Sequence, residues 1–235
     1  MDTPDERKSQ ERSLTTTSYV VLSVLSLRPH STYDITRQVR LTMHYMWPRA
    51  ESNVYAEPQR LVAAGLATAQ AEWNGQRRRT VYTITEAGRV ALAGWLAAPS
   101  SRPRYECEAL VKVLFAENGS RKDLRASIRL LAGGATESLR HFVGIADRYA
   151  ASEGEYPRRF GLSALALRLL MEQQAATLRW ATWANAVVEG WDSPLSGDVA
   201  WGIEAMRAAG TALPLDEDPV PEAISNESPG LAPRA

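Results

Sequence analysis

The stretch NGQRRRTVYTITEAG, Asn74 to Gly88, decides how the first hundred residues are read. Asn-Gly supplies the two left-handed backbone positions that a tight hairpin turn requires. Val81, Tyr82 and Ile84 then give a β-prone run, preceded across the turn by a strand around Ala67–Trp73. Thr85, in Thr-x-x-Gly, is a helix N-cap. Side chains alternate along a strand, so Tyr82 and Ile84 share one face while Arg77 and Arg79 share the other. Three adjacent guanidiniums at Arg77, Arg78 and Arg79 repel one another unless phosphates or carboxylates accept them. The expectation is a β-hairpin wing whose tip meets a polyanion.

Upstream, ESNVYAEPQRLVAAGL (51–66) reads as a helix that Gly65 ends as a C′ glycine. Ser31 and Asp34 have capping-box spacing and open an earlier helix through Ile35, Val39 and Leu41. Before it, SYVVLSVLSL (18–27) has a length that suits a helix or a strand, and periodicity does not choose between them. After the hairpin, Thr85 caps a helix carrying Val90, Leu92, Trp95 and Leu96. The order helix, helix, helix, hairpin, helix over residues 15–99 is that of a winged helix-turn-helix. The third segment fits a recognition helix. Arg49, Ser52, Asn53, Tyr55 and Gln59 are candidates for a DNA-facing side, and Val54, Leu61 and Val62 for the core. Asn and Gln read adenine edges, Arg reads guanine or phosphate, and Tyr bonds phosphate or touches a thymine methyl. Pro58 lacks an N–H and is expected to bend or shorten this helix.

Pro99, Ser100, Ser101 and Pro103 mark a boundary, and residues 104–191 beyond it are helical in pattern. Leu110, Val111, Leu114 and Phe115 sit at helical spacing within Glu106–Glu117. Ser120 caps a long segment bearing Leu124, Ile128, Leu131, Ala135, Leu139, Phe142, Ala146 and Tyr149, with Gly133-Gly134 as its weak point. After a break at Gly154–Pro157, Leu162, Leu165, Leu169, Ala176, Trp180, Trp183 and Val187 repeat the rhythm until Gly190. Two such stripes are expected to pack antiparallel and to bury themselves against a second subunit through Leu139, Phe142, Leu165, Leu169, Trp180 and Trp183. The fold class is therefore mainly α: a winged helix-turn-helix of three helices, wing and fourth helix, followed by an antiparallel long-helix dimerisation domain. Residues 1–14 and the acidic, Pro-rich 211–235 read as disordered.

Charge and composition narrow the function. Lys plus Arg equal Asp plus Glu at 27 each, so the net charge is zero. Yet nine arginines face five acids between Thr15 and Pro99, while the tail beyond Thr211 is acidic. Cys107 is the only cysteine, no apolar run approaches a membrane span, and the polar N-terminus has no signal-like apolar region. These point to a cytoplasmic protein. His30, His44 and His141 fall in different elements, and Cys107 lies between Glu106 and Glu108, whose charge disfavours a thiolate. No phosphate-binding glycine loop and no Gly-x-Ser-x-Gly elbow occurs. No enzyme activity, metal or cofactor is expected. Trp47, Trp95, Trp180 and Trp183, with Tyr45, offer walls for a small aromatic or apolar effector in a cleft between the two halves.

Three stretches, SYVVLSVLSLRPHSTYDI, ESNVYAEPQRLVAAGL and NGQRRRTVYTITEAG, resemble the PadR family of transcriptional regulators, and the helical half resembles the virulence-activator-type C-terminal domain of its larger members. The resemblance implies a homodimer clasped by its C-terminal helices on a pseudo-palindromic operator, often as a repressor. It places the family's recognition-helix tyrosine on Tyr55 and its basic wing on Arg77–Arg79. The chain departs from the pattern at Thr32, where a glycine is usual, and at Pro58. The alternative reading is a winged-helix protein–protein interaction module that binds no DNA. Arg77–Arg79 and the polar start of the third helix favour DNA.

Overall fold

In the computed structural model, SYVVLSVLSL resolves as helix: α1 spans Thr16–Leu25. The residues described are 14–43, 45–47, 51–74, 77–151 and 156–211. The expectations for Arg49, His44 and the turn glycine Gly75 lie outside them, as do those for residues 1–13 and 212–235. Leu14, assigned from sequence to a disordered terminus, instead packs against the N-terminal core. The chain divides into two units, Met1–Arg104 and Tyr105–Ala235.

In the first unit, β1 (His30–Ser31) leads into α2 (Thr32–Met43), α3 (Glu51–Ala63), β2 (Ala67–Asn74), β3 (Arg77–Ile84) and α4 (Glu86–Ala97). The two residues of β1 pair antiparallel with β3 at His30↔Tyr82 and Ser31↔Val81, giving a three-stranded sheet in the order β1-β3-β2. Four local devices set the boundaries. Thr15 and Ser18 form a reciprocal capping box on α1. Ser31 and Asp34 do the same for α2, with the Ser31 N–H and hydroxyl donating to Asp34 Oδ2. Burial works to raise the Asp34 carboxyl, but these bonds, joined by the positive fields of His30 and Arg79, hold it below the ordinary aspartate value. Gly65 closes α3 with φ at +73°, a left-handed angle that side chains resist. Thr85 caps α4 by accepting from the Gly88 N–H at 3.1 Å, and its own hydroxyl donates to the Gly65 carbonyl at 2.8 Å. The core joins Val21, Leu22, Val24 and Leu25 of α1 to Ile35, Val54, Leu61, Tyr82, Ile84 and Leu92. Each large apolar side chain buried there contributes about 1.5–3 kcal/mol.

Pro58 does not shorten α3. The helix runs through it, and Pro58 is among the fully buried side chains. The ring cannot donate to the carbonyl four residues back, and its burial among core residues offsets that missing bond.

The second unit contains α5 (Glu108–Leu114), α6 (Arg121–Ala150), α7 (Phe160–Glu189) and α8 (Val199–Thr211). Ser120 and Asp123 form the capping box of α6, which continues through Gly133-Gly134 to thirty residues. The pairing of α6 with α7 is antiparallel. Leu124 and Ile128 at the start of α6 pack with Ala181, Ala184 and Val188 at the end of α7, and Tyr149 meets Phe160 at the other end with ring centroids 4.9 Å apart. Arg121 donates to the carbonyls of Glu189 and Trp191, and Arg125 to Asn185 Oδ1, so guanidiniums satisfy the negative C-terminus of α7. The sequence reading had no α8. Its Trp201 stacks on Trp183 and meets Trp191 edge to face.

Candidate nucleic-acid interface

Helix periodicity sorts α3 into two faces. Val54, Glu57, Pro58 and Leu61 are buried, while Tyr55, Ala56, Gln59 and Arg60 are exposed. Tyr55 is 50 % exposed, a high value for an aromatic beside a core. Ser52 and Asn53 lie in the first turn of α3. On α2, Tyr33 and Arg37 are also exposed, one turn apart; neither stood out in the sequence.

Burial of Glu57 is the feature that sequence reasoning missed. Its Oε1 accepts from the buried Ser18 hydroxyl at 2.5 Å, and its Oε2 lies 3.5 Å from Arg60 Nη1. Ser18 is itself the partner of the Thr15 cap in the α1 capping box, so one hydroxyl ties the start of α1 to the middle of α3. A readable signal existed: Glu57 falls three residues after Val54 and four before Leu61, a charge on the apolar stripe. Replacing Glu57 with alanine should lower stability by about 2 kcal/mol, as should Ser18→Ala, because each leaves a buried polar partner without its bond. The double variant should cost at least 1 kcal/mol less than the two singles added, as about 1 kcal/mol or more of coupling requires. Full additivity in urea unfolding would show that the pair is not a pair.

The hairpin register places Asn74 opposite Arg77, Trp73 opposite Arg78 and Glu72 opposite Arg79. Arg78 and Arg79 are both exposed, and Arg79 Nη2 is 3.3 Å from Glu72 Oε2. The three arginines are thus unequal: a carboxylate already accepts one of them. At the root, Thr85 N donates to the Leu66 carbonyl at 3.0 Å and Gly88 abuts that same carbonyl, so the Thr-x-x-Gly motif locks α4 to the hairpin.

The residues expected to line an effector cleft divide between the units. Trp95 stacks on Tyr19 at 4.9 Å, and Trp47 packs against the N-terminal core. Trp180 packs against the α6–α7 core and Trp183 on Trp201. Tyr45 is exposed. Of the residues expected at a dimer interface, Phe142 is 1 % exposed and so is covered by its own chain. Leu139 and Trp180 are part-buried, while Leu165 (73 %), Leu169 (61 %) and Trp183 are exposed. Among the described residues no group of His, Cys, Asp or Glu could hold a metal ion, and no helix is long and apolar enough to cross a membrane.

An exposed polar face on the third helix, beside a basic antiparallel hairpin, defines the first unit as a winged helix-turn-helix module of the kind found in transcriptional regulators. Family comparison agrees in both units. Residues 21–94 match the transcriptional regulator PadR-like family, and residues 107–189 match the virulence activator alpha C-terminal domain. The chain thus joins a PadR-like transcriptional regulator domain to a virulence-activator-type C-terminal region. Over 107 residues it is 27 % identical to the negative transcriptional regulator PadR of Bacillus subtilis, a match covering 45 % of this chain and 59 % of that relative. The crystal structure of B. subtilis PadR with operator DNA is similar at a TM-score of 0.64 and 22 % identity, over 74 % of this chain and 99 % of the other. That protein has also been solved with p-coumaric acid (TM-score 0.60). The Vibrio cholerae virulence activator AphA is 28 % identical with a TM-score of 0.58, over 74 % of this chain and 98 % of its own.

Proposed function

We propose that the chain is a homodimeric regulator that binds a pseudo-palindromic operator as a repressor and releases it on binding a small aromatic or apolar ligand. The observation that carries the DNA reading is the outward face of α3, with Tyr55 and Gln59, in one module with a wing of three arginines. Arg49, Ser52, Asn53, Tyr55 and Gln59 would read or position the duplex, and Arg77, Arg78 and Arg79 would meet its phosphates. Two modules held at fixed spacing gain affinity and sequence length that one lacks. The exposed leucines of α7, at 165 and 169, support a partner chain there, since large apolar groups in a row lose free energy in water. Relatives solved with operator DNA and with p-coumaric acid support the operator and the ligand. A regulator of this kind acts in the cytoplasm, where its operator is.

Fluorescence anisotropy against DNA flanking the protein's own gene, at two salt concentrations, tests the proposal. Wild type should bind one fragment as two chains, and affinity should fall steeply with salt because arginine–phosphate contacts release counterions. Changing Arg77, Arg78 and Arg79 together to alanine should weaken binding at least about tenfold and flatten the salt slope. A folded protein that binds no DNA even at low salt would instead be an interaction module.

A further inference from the structure

Charge is distributed along this chain in blocks of opposite sign. Residues 15–104 hold eleven arginines and five acids, residues 105–211 hold twelve cations and thirteen acids, and the stretch beyond Thr211 holds five acids and one arginine. The winged module is therefore the strongly basic part of the chain, and the segment after α8 the strongly acidic part. Neither finds its counter-charge locally. Between Arg207 and Arg234 no Lys, Arg or His accompanies Asp216, Glu217, Asp218, Glu222 and Glu227. Prolines at 214, 219 and 221 disfavour a helix among them, which suits a segment that lies along a surface. In the module, three of the carboxylates are already engaged: Asp34 by Ser31, Glu57 by Ser18 and Glu72 by Arg79. Arg37 on α2 and Arg78 on β3 are exposed and make no ion pair among the described residues. The pairing of β1 with β3 sets the start of α2 beside the wing, close enough for Arg79 to act on Asp34.

We propose that the acidic segment 212–227 docks on the basic face formed by α2 and the wing, Asp216–Asp218 meeting Arg37 and Arg78, and that DNA must displace it to bind. This rests on the DNA-binding reading above. Carboxylates and phosphates are alternative acceptors for the same guanidiniums, so the segment and a duplex compete for them. Sixteen residues lie between Thr211 and Glu227, a reach of roughly 50 Å, longer than a domain of a hundred residues is wide. A tethered acceptor acts at an effective concentration near the millimolar range, so even weak arginine–carboxylate contacts are occupied. The penalty falls on every duplex. Bulk DNA, whose hold on the protein is electrostatic alone, then loses most of its grip, whereas a site that adds base contacts still binds.

Two triple variants of the full chain, each removing three negative charges, test this against wild type. One neutralises the segment (Asp216→Asn, Glu217→Gln, Asp218→Asn). The other neutralises Glu117, Glu137 and Glu204 to Gln, three exposed acids of the second unit that make no ion pair among the described residues. Anisotropy against the fragment that wild type binds is read over a salt series, and amide NMR spectra are read without DNA. The segment variant should bind about fivefold tighter at low salt and converge on wild type as salt rises, because salt opens the contact in wild type. The control should stay within about twofold of wild type. Spectra of the segment variant should shift at Arg37, Arg78 and their neighbours and not along α6 and α7. An equal gain in the control, or a gain with those signals unmoved, would overturn the inference, since the acids would then act by bulk repulsion. Unchanged affinity would overturn it too and leave the acids for a separate protein partner. If wild type binds no DNA, the DNA-binding reading fails, and the spectra alone decide whether the segment docks.

Discussion

Gly88→Ala is expected to destabilise the first unit by about 3 kcal/mol, against the usual effect of the same change in a helix. Within a helix interior, alanine is favoured over glycine by roughly 1 kcal/mol. At Gly88 a Cβ would lie 2.2 Å from the Leu66 carbonyl oxygen and 2.8 Å from Ile84 Cγ1. The nearer atom is backbone, and it is also the acceptor for the Thr85 N–H at 3.0 Å. Relief therefore requires α4 to lift away from the hairpin, which stretches the Thr85 bonds to Leu66 and Gly65 together. Urea unfolding followed by circular dichroism reads the loss. A variant as stable as wild type would mean that helix propensity wins and that the close approach is not real. DNA affinity should fall with stability, because the root of the wing moves with α4.

Phe142→Ala is the second large effect, expected at about 3–5 kcal/mol for deletion of a buried aromatic ring. Phe142 is the largest of the fully buried side chains and sits on α6, inside the second unit. The loss should be the same at every protein concentration, since the ring is covered by its own chain. Leu169→Ala provides the contrast. Its side chain is exposed in the single chain, so the change should leave the chain's own packing almost intact and lower the fraction of dimer measured by sedimentation. A concentration-dependent loss for Phe142→Ala would place that ring against the partner after all.

Local chemistry made much of this architecture legible. Caps act within one turn, so Ser31–Asp34, Gly65, Thr85 and Ser120 could be read directly and proved to bound helices in the structure. The hairpin followed from an alternating run on either side of a break, although Asn74, read as part of the turn, instead ends β2 opposite Arg77. What escaped was non-local. Strand β1 has two residues and no pattern of its own; it exists because β3 offers an edge to His30 and Ser31. The helix α8 is anchored by Trp201 on Trp183 and Trp191, a contact between residues far enough apart that no periodicity announces it. In the candidate site, Arg77–Arg79 read as one cluster, and only the strand register separates Arg79, paired to Glu72, from Arg78. Likewise both long stripes looked equally available to a partner. Phe142 is buried within its own chain, whereas Leu165 and Leu169 are exposed.

The two faces of α3 separate tasks that could have been entangled. Positions 54, 57, 58 and 61 hold the helix in place, through core contacts and the Glu57–Ser18 bond, while positions 55, 56 and 59 are exposed. A lineage can therefore rewrite what this helix says to DNA letter by letter without eroding the platform that presents it. Most single changes on the outward face sit near zero in stability, so drift there is free to explore new operators. The same partition makes the module a convenient chassis for retargeting: a library confined to those outward positions varies recognition and little else.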